Sequence, residues 1–229
     1  TPDRLASTPW EIIGSTSTLL GVLYAMLRNN LKRLLAYSSI ENIGIILSGL
    51  GLSMIFIGTG HKILGVIGLT AALYHILSHA LFKGLLFLGA GAIAHATHEY
   101  DLNNMGGLIR RMPWVAWLAL IGTLAIAGLP PLNGFVSEWL LLQAFLLTPD
   151  VPQPFMNMLV PLGASLLALT AALAAYVMVK FYGVIFLGQP REANQRANGS
   201  GRRPLTHRGF SSHQRRRAKN SRRTSDACS

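Results

Sequence analysis

The chain is poor in cysteine, in acids and in charge of any kind. Of 229 residues one is cysteine, Cys228, which excludes an internal disulfide framework. Charged side chains make up only 13% against 51% hydrophobic ones, too few to solvate a soluble domain of this size. Residues 1–9 lack the basic n-region and apolar h-region of a secretory signal. With Thr1 in place of a start methionine, the chain reads as the interior of a longer protein. The nine acids are outnumbered by 20 Lys and Arg, but the imbalance is local. Residues 1–190 carry a net charge of only +2, whereas residues 191–229 carry +9. The basic character therefore belongs to a tail.

What fills the rest is long apolar runs, over residues 10–27, 34–57, 63–94, 114–147 and 156–187. Each is of membrane-crossing length, about 20 residues or more. The fourth is interrupted by Gly128-Leu129-Pro130-Pro131-Leu132-Asn133-Gly134. Paired prolines remove two amide donors and clash with preceding carbonyls, so a regular helix cannot pass through them. The segment is one broken span or a hairpin of two short helices. Arg28, Lys32 and Arg33, then Arg110 and Arg111, sit in alternate connections. Counting one broken span places these groups and the tail on one cytoplasmic side, as the positive-inside rule asks. The expected fold is an all-α membrane protein of about five spans, the fourth broken at Pro130-Pro131. It divides into an extramembrane start (1–9), a bundle (10–187) and a basic tail (188–229). The tail's Arg, Ser, Asn, Gly and Pro composition predicts disorder. It fits an anionic-lipid contact or the product of a shifted reading frame; with Phe210 as its one aromatic, it predicts no nucleic-acid partner.

His75, His79 and Lys83 recur every fourth residue inside the third run, which places them on one helix face in a stripe about 12 Å tall near mid-span. Ionisable groups at membrane depth are expensive and mark ion or proton paths. A lysine there can exchange a proton if water reaches it, and imidazole titrates near physiological pH. Waters would bridge gaps too long for direct bonds. The alternative is that both histidines only tie helices together. A His-x3-His pair also suits zinc, but no cysteine or HExxH pattern supplies further ligands, so no metal is expected. Glu138 follows the proline break by two turns, where freed backbone groups call for a watery or protein-lined cavity. Glu41 lies inside the second run, within reach of Lys83 or of Lys32 and Arg33. Lys180 is an anchor near the end of the last run, with a relay role as the lesser reading. His95, His98, Glu99 and Asp101 read as a solvated loop.

Several longer motifs resemble a known family. Leu31-Lys32-Arg33-Leu34-Leu35-Ala36-Tyr37-Ser38-Ser39, His75-Ile76-Leu77-Ser78-His79-Ala80-Leu81-Phe82-Lys83, Met105-Gly106-Gly107-Leu108 and the break from Gly128 to Glu138 are similar to landmarks of antiporter-like subunits of complex I and Mrp antiporters. The wording of Ser39 to Ile46, Gly107 to Pro113 and Leu129 to Trp139 resembles the hydrogenase-4 component B and formate hydrogenlyase branch. The resemblance covers about residues 10–190. It implies a proton-translocating membrane subunit of an energy-coupling oxidoreductase complex, with no redox centre or cofactor of its own. Its partners would be other membrane and hydrophilic subunits, and the ion protons, with sodium as the alternative. It implies Lys83 as central proton carrier, His79 and His75 as its links along the axis, and Glu138 as the connection to an exit channel. Such subunits hold two inverted repeats of about five helices each, and this chain matches only the second. The expected location is a prokaryotic cytoplasmic membrane. A cation/proton antiporter subunit of Mrp type and a non-conducting structural module are the rival readings.

Overall fold

The computed structural model describes residues 2–147 and 154–189. The basic tail from residue 190 onward, with Cys228, lies outside them. Among the described residues there is no β-strand, and six α-helices follow in order: α1 (Pro2–Leu27), α2 (Leu31–Gly58), α3 (Lys62–Thr97), α4 (Pro113–Ile126), α5 (Asn133–Leu146) and α6 (Pro154–Tyr182). One turn of π-helix, Gly183–Leu187, closes the last. Thr8–Leu27, Leu31–Thr59, Lys62–Thr97 and Asn157–Leu187 are each long and apolar enough to cross a membrane. Their outer faces carry Leu20, Leu73, Leu81, Leu88 and Val179, all more than half exposed on the isolated chain, as a lipid-facing surface requires. Helix α1 already starts at Pro2, and its apolar stretch at Thr8.

The fourth span in chain order is α4 and α5 together. At about 21 Å each, neither crosses a hydrocarbon core of about 30 Å alone. Packing decides between broken span and hairpin. One core cluster joins Leu31, Leu34 and Leu35 of α2, Phe82, Leu86 and Ile93 of α3 and Val177 and Phe181 of α6 to Ala116 and Ala119 of α4. The other joins Ile45, Leu52 and Phe56 of α2, Ala71 of α3 and Val160 of α6 to Leu141, Ala144 and Phe145 of α5. The same three long helices thus meet α4 in one half and α5 in the other. A hairpin would put both short helices in the same half. The two instead lie end to end around the break, where Gly128 takes a left-handed φ of +62°.

The basic connections gather at one end. Leu31 N–H donates to Tyr100 O at 2.9 Å and Leu102 N–H to Asn29 O at 2.8 Å, which ties the α1–α2 turn to the segment after α3. Asn30 Oδ1 caps α2 by accepting from Arg33 N–H. Lys180 reaches the same place: its Nζ donates to Met26 O at 3.0 Å, one of the carbonyls α1 leaves open at its C-terminus, and to Asn29 Oδ1. It caps the C-terminal end of α1.

Glu99 organises the loop beyond α3. Its carboxylate accepts from the backbone N–H of Asp101 and Tyr100 and from Asn104 Nδ2, in that order of effect, and this holds it below the usual carboxylate range. A depressed folded value means the contribution is present above the unfolded pKa of about 4.3 and lost as pH falls through the folded one. Amide-exchange protection of Tyr100 and Asp101 is expected to hold at neutral pH and disappear in acid. Equal protection at both would contradict this.

Candidate functional site

The His75–Lys83 face of α3 turns inward against α2. Lys83 is buried, and its Nζ donates to Leu35 O at 3.1 Å and to Ser38 Oγ. One and two turns earlier on α3 come His79 and His75. His75 is 1% exposed and bonded through both ring nitrogens: Nε2 to Asn42 Oδ1 at 3.2 Å and Nδ1 to Ser137 Oγ at 2.8 Å. The side chains of Ser38, Asn42 and Ser137 therefore hold α3 to α2 and to the start of α5. His79 is half-buried, edge-on to the Phe82 ring at 5.6 Å, and its Nε2 has no hydrogen-bond partner among the described residues. It lies within electrostatic reach of both Lys83 and His75.

The protonation of His75 can be read from its partners. Asn42 Nδ2 donates to Ser38 O at 2.7 Å, which leaves Asn42 Oδ1 as a pure acceptor, so Nε2 of His75 carries a proton. Ser137 has one hydroxyl proton and two acceptors at 2.8 Å, His75 Nδ1 and Gly134 O. With neutral imidazole the hydroxyl donates to Nδ1. With imidazolium Nδ1–H donates to Ser137 Oγ, and the hydroxyl turns to Gly134 O. Both states are satisfied without moving a backbone atom.

The two sequence-predicted acids fall on the same axis. Glu41 is 2% exposed, and its electrostatic neighbours are Lys83 and Glu138. Lys83 is the cation whose charge acts on it. Glu138, half-buried, folds back toward the break: a Cβ placed on Gly128 would lie 2.5 Å from its Oε2. Gly128 thus serves both the positive φ and the carboxylate. Pro130 and Pro131 are exposed on the rim of the break. Among the described residues no group of three His, Cys, Asp or Glu side chains comes together to hold a metal ion.

The stripe is not central in the bundle. On α2 Lys83 is level with Leu35 and Ser38, about 10 Å inside the basic end, and His75 with Asn42, about 16 Å inside it. Helix α3, 36 residues long, overshoots its neighbours, so its own midpoint misleads. The serines and Asn42 carry no signal in a sequence, because short polar side chains are common in apolar helices. Their one legible trait is that Ser38 and Asn42 share a helix face with Glu41 between them.

The family model described as NADH:quinone oxidoreductase/Mrp antiporter, TM, matches residues 3–167. Hydrogenase-4 component B of Escherichia coli (strain K12) is 48% identical over 182 residues, 80% of this chain and 27% of that protein. Formate hydrogenlyase subunit 3 of the same organism is 44% identical over 180 residues, 79% of this chain and 30% of that protein. The solved Mrp complex of Dietzia sp. DQ12-45-1b holds a chain that superposes with a TM-score of 0.69 at 30% identity, covering 82% of this chain and 31% of that one. The chain thus spans under a third of the length of each.

Proposed function

Since the chain belongs to the NADH:quinone oxidoreductase/Mrp antiporter transmembrane family, we propose that it translocates protons as part of a membrane subunit of a hydrogenase-4 or NADH:quinone oxidoreductase type complex. The observation that carries the proposal is the buried line Lys83–His79–His75, bonded to α2 through Ser38 and Asn42 and to α5 through Ser137. Lys83 binds and releases the proton. His79, whose Nε2 has no partner among the described residues, passes it through water to Ser137 Oγ, and the Ser137 hydroxyl gives its own proton to His75 Nδ1. The Ser137 hydroxyl turns as His75 changes charge, and it sits one residue before Glu138 at the start of α5. Glu41 is the counter-charge that makes a cationic Lys83 tolerable at depth. Redox energy comes from partner subunits, both membrane and hydrophilic. The chain lies in a prokaryotic cytoplasmic membrane with Arg28, Lys32, Arg33, Arg110 and Arg111 inside. It supplies one of two inverted repeats, residues 10–187, and needs no cofactor.

The similarity to an Mrp complex makes a cation/proton antiporter subunit the second reading. The chain, expressed within its full subunit in a host lacking its own sodium/proton antiporters, is expected to leave sodium sensitivity unchanged. Sodium tolerance conferred without any redox partner would overturn the first reading in favour of the second.

A further inference from the structure

The axis described above occupies the half of the bundle nearer the basic loops. From the level of Asn42 to the far end of α2 at Gly58 there remain about 24 Å. Among the described residues one buried acid of that half takes no part in the relay: Glu11 of α1, 0% exposed. Its Oε1 accepts from Ser15 Oγ at 3.1 Å, and Ser15 Oγ in turn is 3.1 Å from Ser48 Oγ on α2. Its Oε2 has no hydrogen-bond partner among the described residues. The site is closed by small residues and an aromatic ring. A Cβ on Gly163 of α6 would lie 2.5 Å from Glu11 Oε1 and 2.8 Å from the Phe145 ring, and one on Gly51 would lie 2.6 Å from Glu11 N.

Glu11 also stands at the end of a seam that leads back to the axis. Helices α1 and α2 run antiparallel in close contact, with Gly51 against Glu11, Ser48 against Gly14, Gly44 against Thr18 and Glu41 against Gly21. The seam's buried polar side chains are Glu41, Thr18, Ser48, Ser15 and Glu11. A glutamate enclosed with one oxygen unpaired is costly to keep charged, and a glutamine would fill the same space more cheaply. A structural role gives no reason for a carboxyl here.

We propose that Glu11 is a proton-binding site that joins the buried axis to the membrane face opposite the basic loops. The inference rests on the proposed relay and extends it to the far side. A proton reaching Ser48 Oγ from water displaces the Ser48 hydroxyl proton onto Ser15 Oγ. The Ser15 proton moves to Glu11 Oε1, so each serine gains one proton as it gives one up, and the carboxylate ends neutral. Release from Glu11 to water on the far side resets it. About 9 Å separate the levels of Asn42 and Ser48, and the buried Thr18 hydroxyl, packed against Gly44, lies between them. Ser15 and Ser48, the hydroxyls that link Glu11 to α2, can each accept a proton and pass one on, as a proton path requires.

The test uses the assembled membrane complex in vesicles, with Glu11→Gln, Glu11→Asp and Lys83→Ala compared. Glu11→Gln is expected to lower proton translocation about tenfold or more, and Glu11→Asp to retain most of it. Wild-type translocation by Glu11→Gln, with loss in Lys83→Ala, would overturn the Glu11 site and leave the axis standing. Loss in Glu11→Gln with normal translocation by Lys83→Ala would overturn the axis and, with it, the link from the axis to Glu11. Should Glu11→Gln fail to assemble, the wild-type complex is treated with a hydrophobic carbodiimide, which couples to protonated carboxyls, and digested for mass spectrometry. An adduct on Glu11 that forms equally with and without sodium supports the proposal. No adduct, or protection by sodium at constant pH, would overturn it.

Discussion

Gly51→Val is expected to destabilise the bundle by about 3 kcal/mol, at the upper end of what overpacking a helix contact costs. A Cβ at residue 51 would meet Glu11 N at 2.6 Å, Cα at 2.9 Å and Cβ at 3.0 Å. These are backbone and near-backbone atoms of α1, which cannot rotate aside as a flexible side chain could. Helix α1 must then move off α2 as a body, and the contacts of Gly14 with Ser48 and Gly21 with Glu41 loosen with it. Valine, branched at Cβ, adds two more carbons to the collision. The measurement is the thermal unfolding midpoint of the purified protein in detergent, expected to fall by several degrees. Gly84→Ala on α3 serves as the control, because a Cβ there meets nothing within 4 Å. That change is expected to be neutral or to stabilise by up to about 1 kcal/mol through helix propensity. A Gly51→Val protein that melts with the wild type would contradict the seam.

The span count and the break were legible because their signals are strong and local. Long apolar runs announce themselves by length, and Pro130-Pro131 forbids a continuous helix whatever surrounds it. The alternation of basic connections was enough to favour one broken span over a hairpin, and the two core clusters reach the same result through packing. The His75, His79 and Lys83 face was legible for the same reason: fourfold spacing needs no knowledge of neighbours. What faces that stripe was not legible. Asn42, Ser38 and Ser137 become meaningful only when α2 and α5 are placed against α3, and that placement is a tertiary fact. Glu11 lies second in its apolar run and looks like a residue at the headgroups; its burial depends on Gly51 and Gly163 admitting it. One clue to the seam was present, since Gly14 and Gly21 on α1 and Gly44 and Gly51 on α2 are seven residues apart, the spacing of small-residue helix contacts repeated over two turns. Lys180 shows the converse. Its position suggested an anchor, but its bonds to Met26 O and Asn29 Oδ1 depend on where α1 ends.

Lys83→Ala is expected to have the largest effect on transport. The side chain is the one cation in the buried core of α3, and it links the histidines to α2 through Leu35 O and Ser38 Oγ. Its removal leaves Ser38 Oγ without its donor, though Leu35 O keeps those of Ser38 and Ser39, leaves Glu41 without its neighbouring cation, and takes the proposed proton carrier from the line. Loss of a positioned proton-transfer group costs about a hundredfold or more in rate. Lys83→Met keeps most of the volume and separates loss of charge from loss of packing. The decisive measurement is proton translocation per electron pair in sodium-free vesicles holding the assembled complex. The expected result is that both variants assemble, retain electron transfer and translocate few or no protons through this subunit. Unchanged translocation by an assembled Lys83→Ala complex would contradict the account.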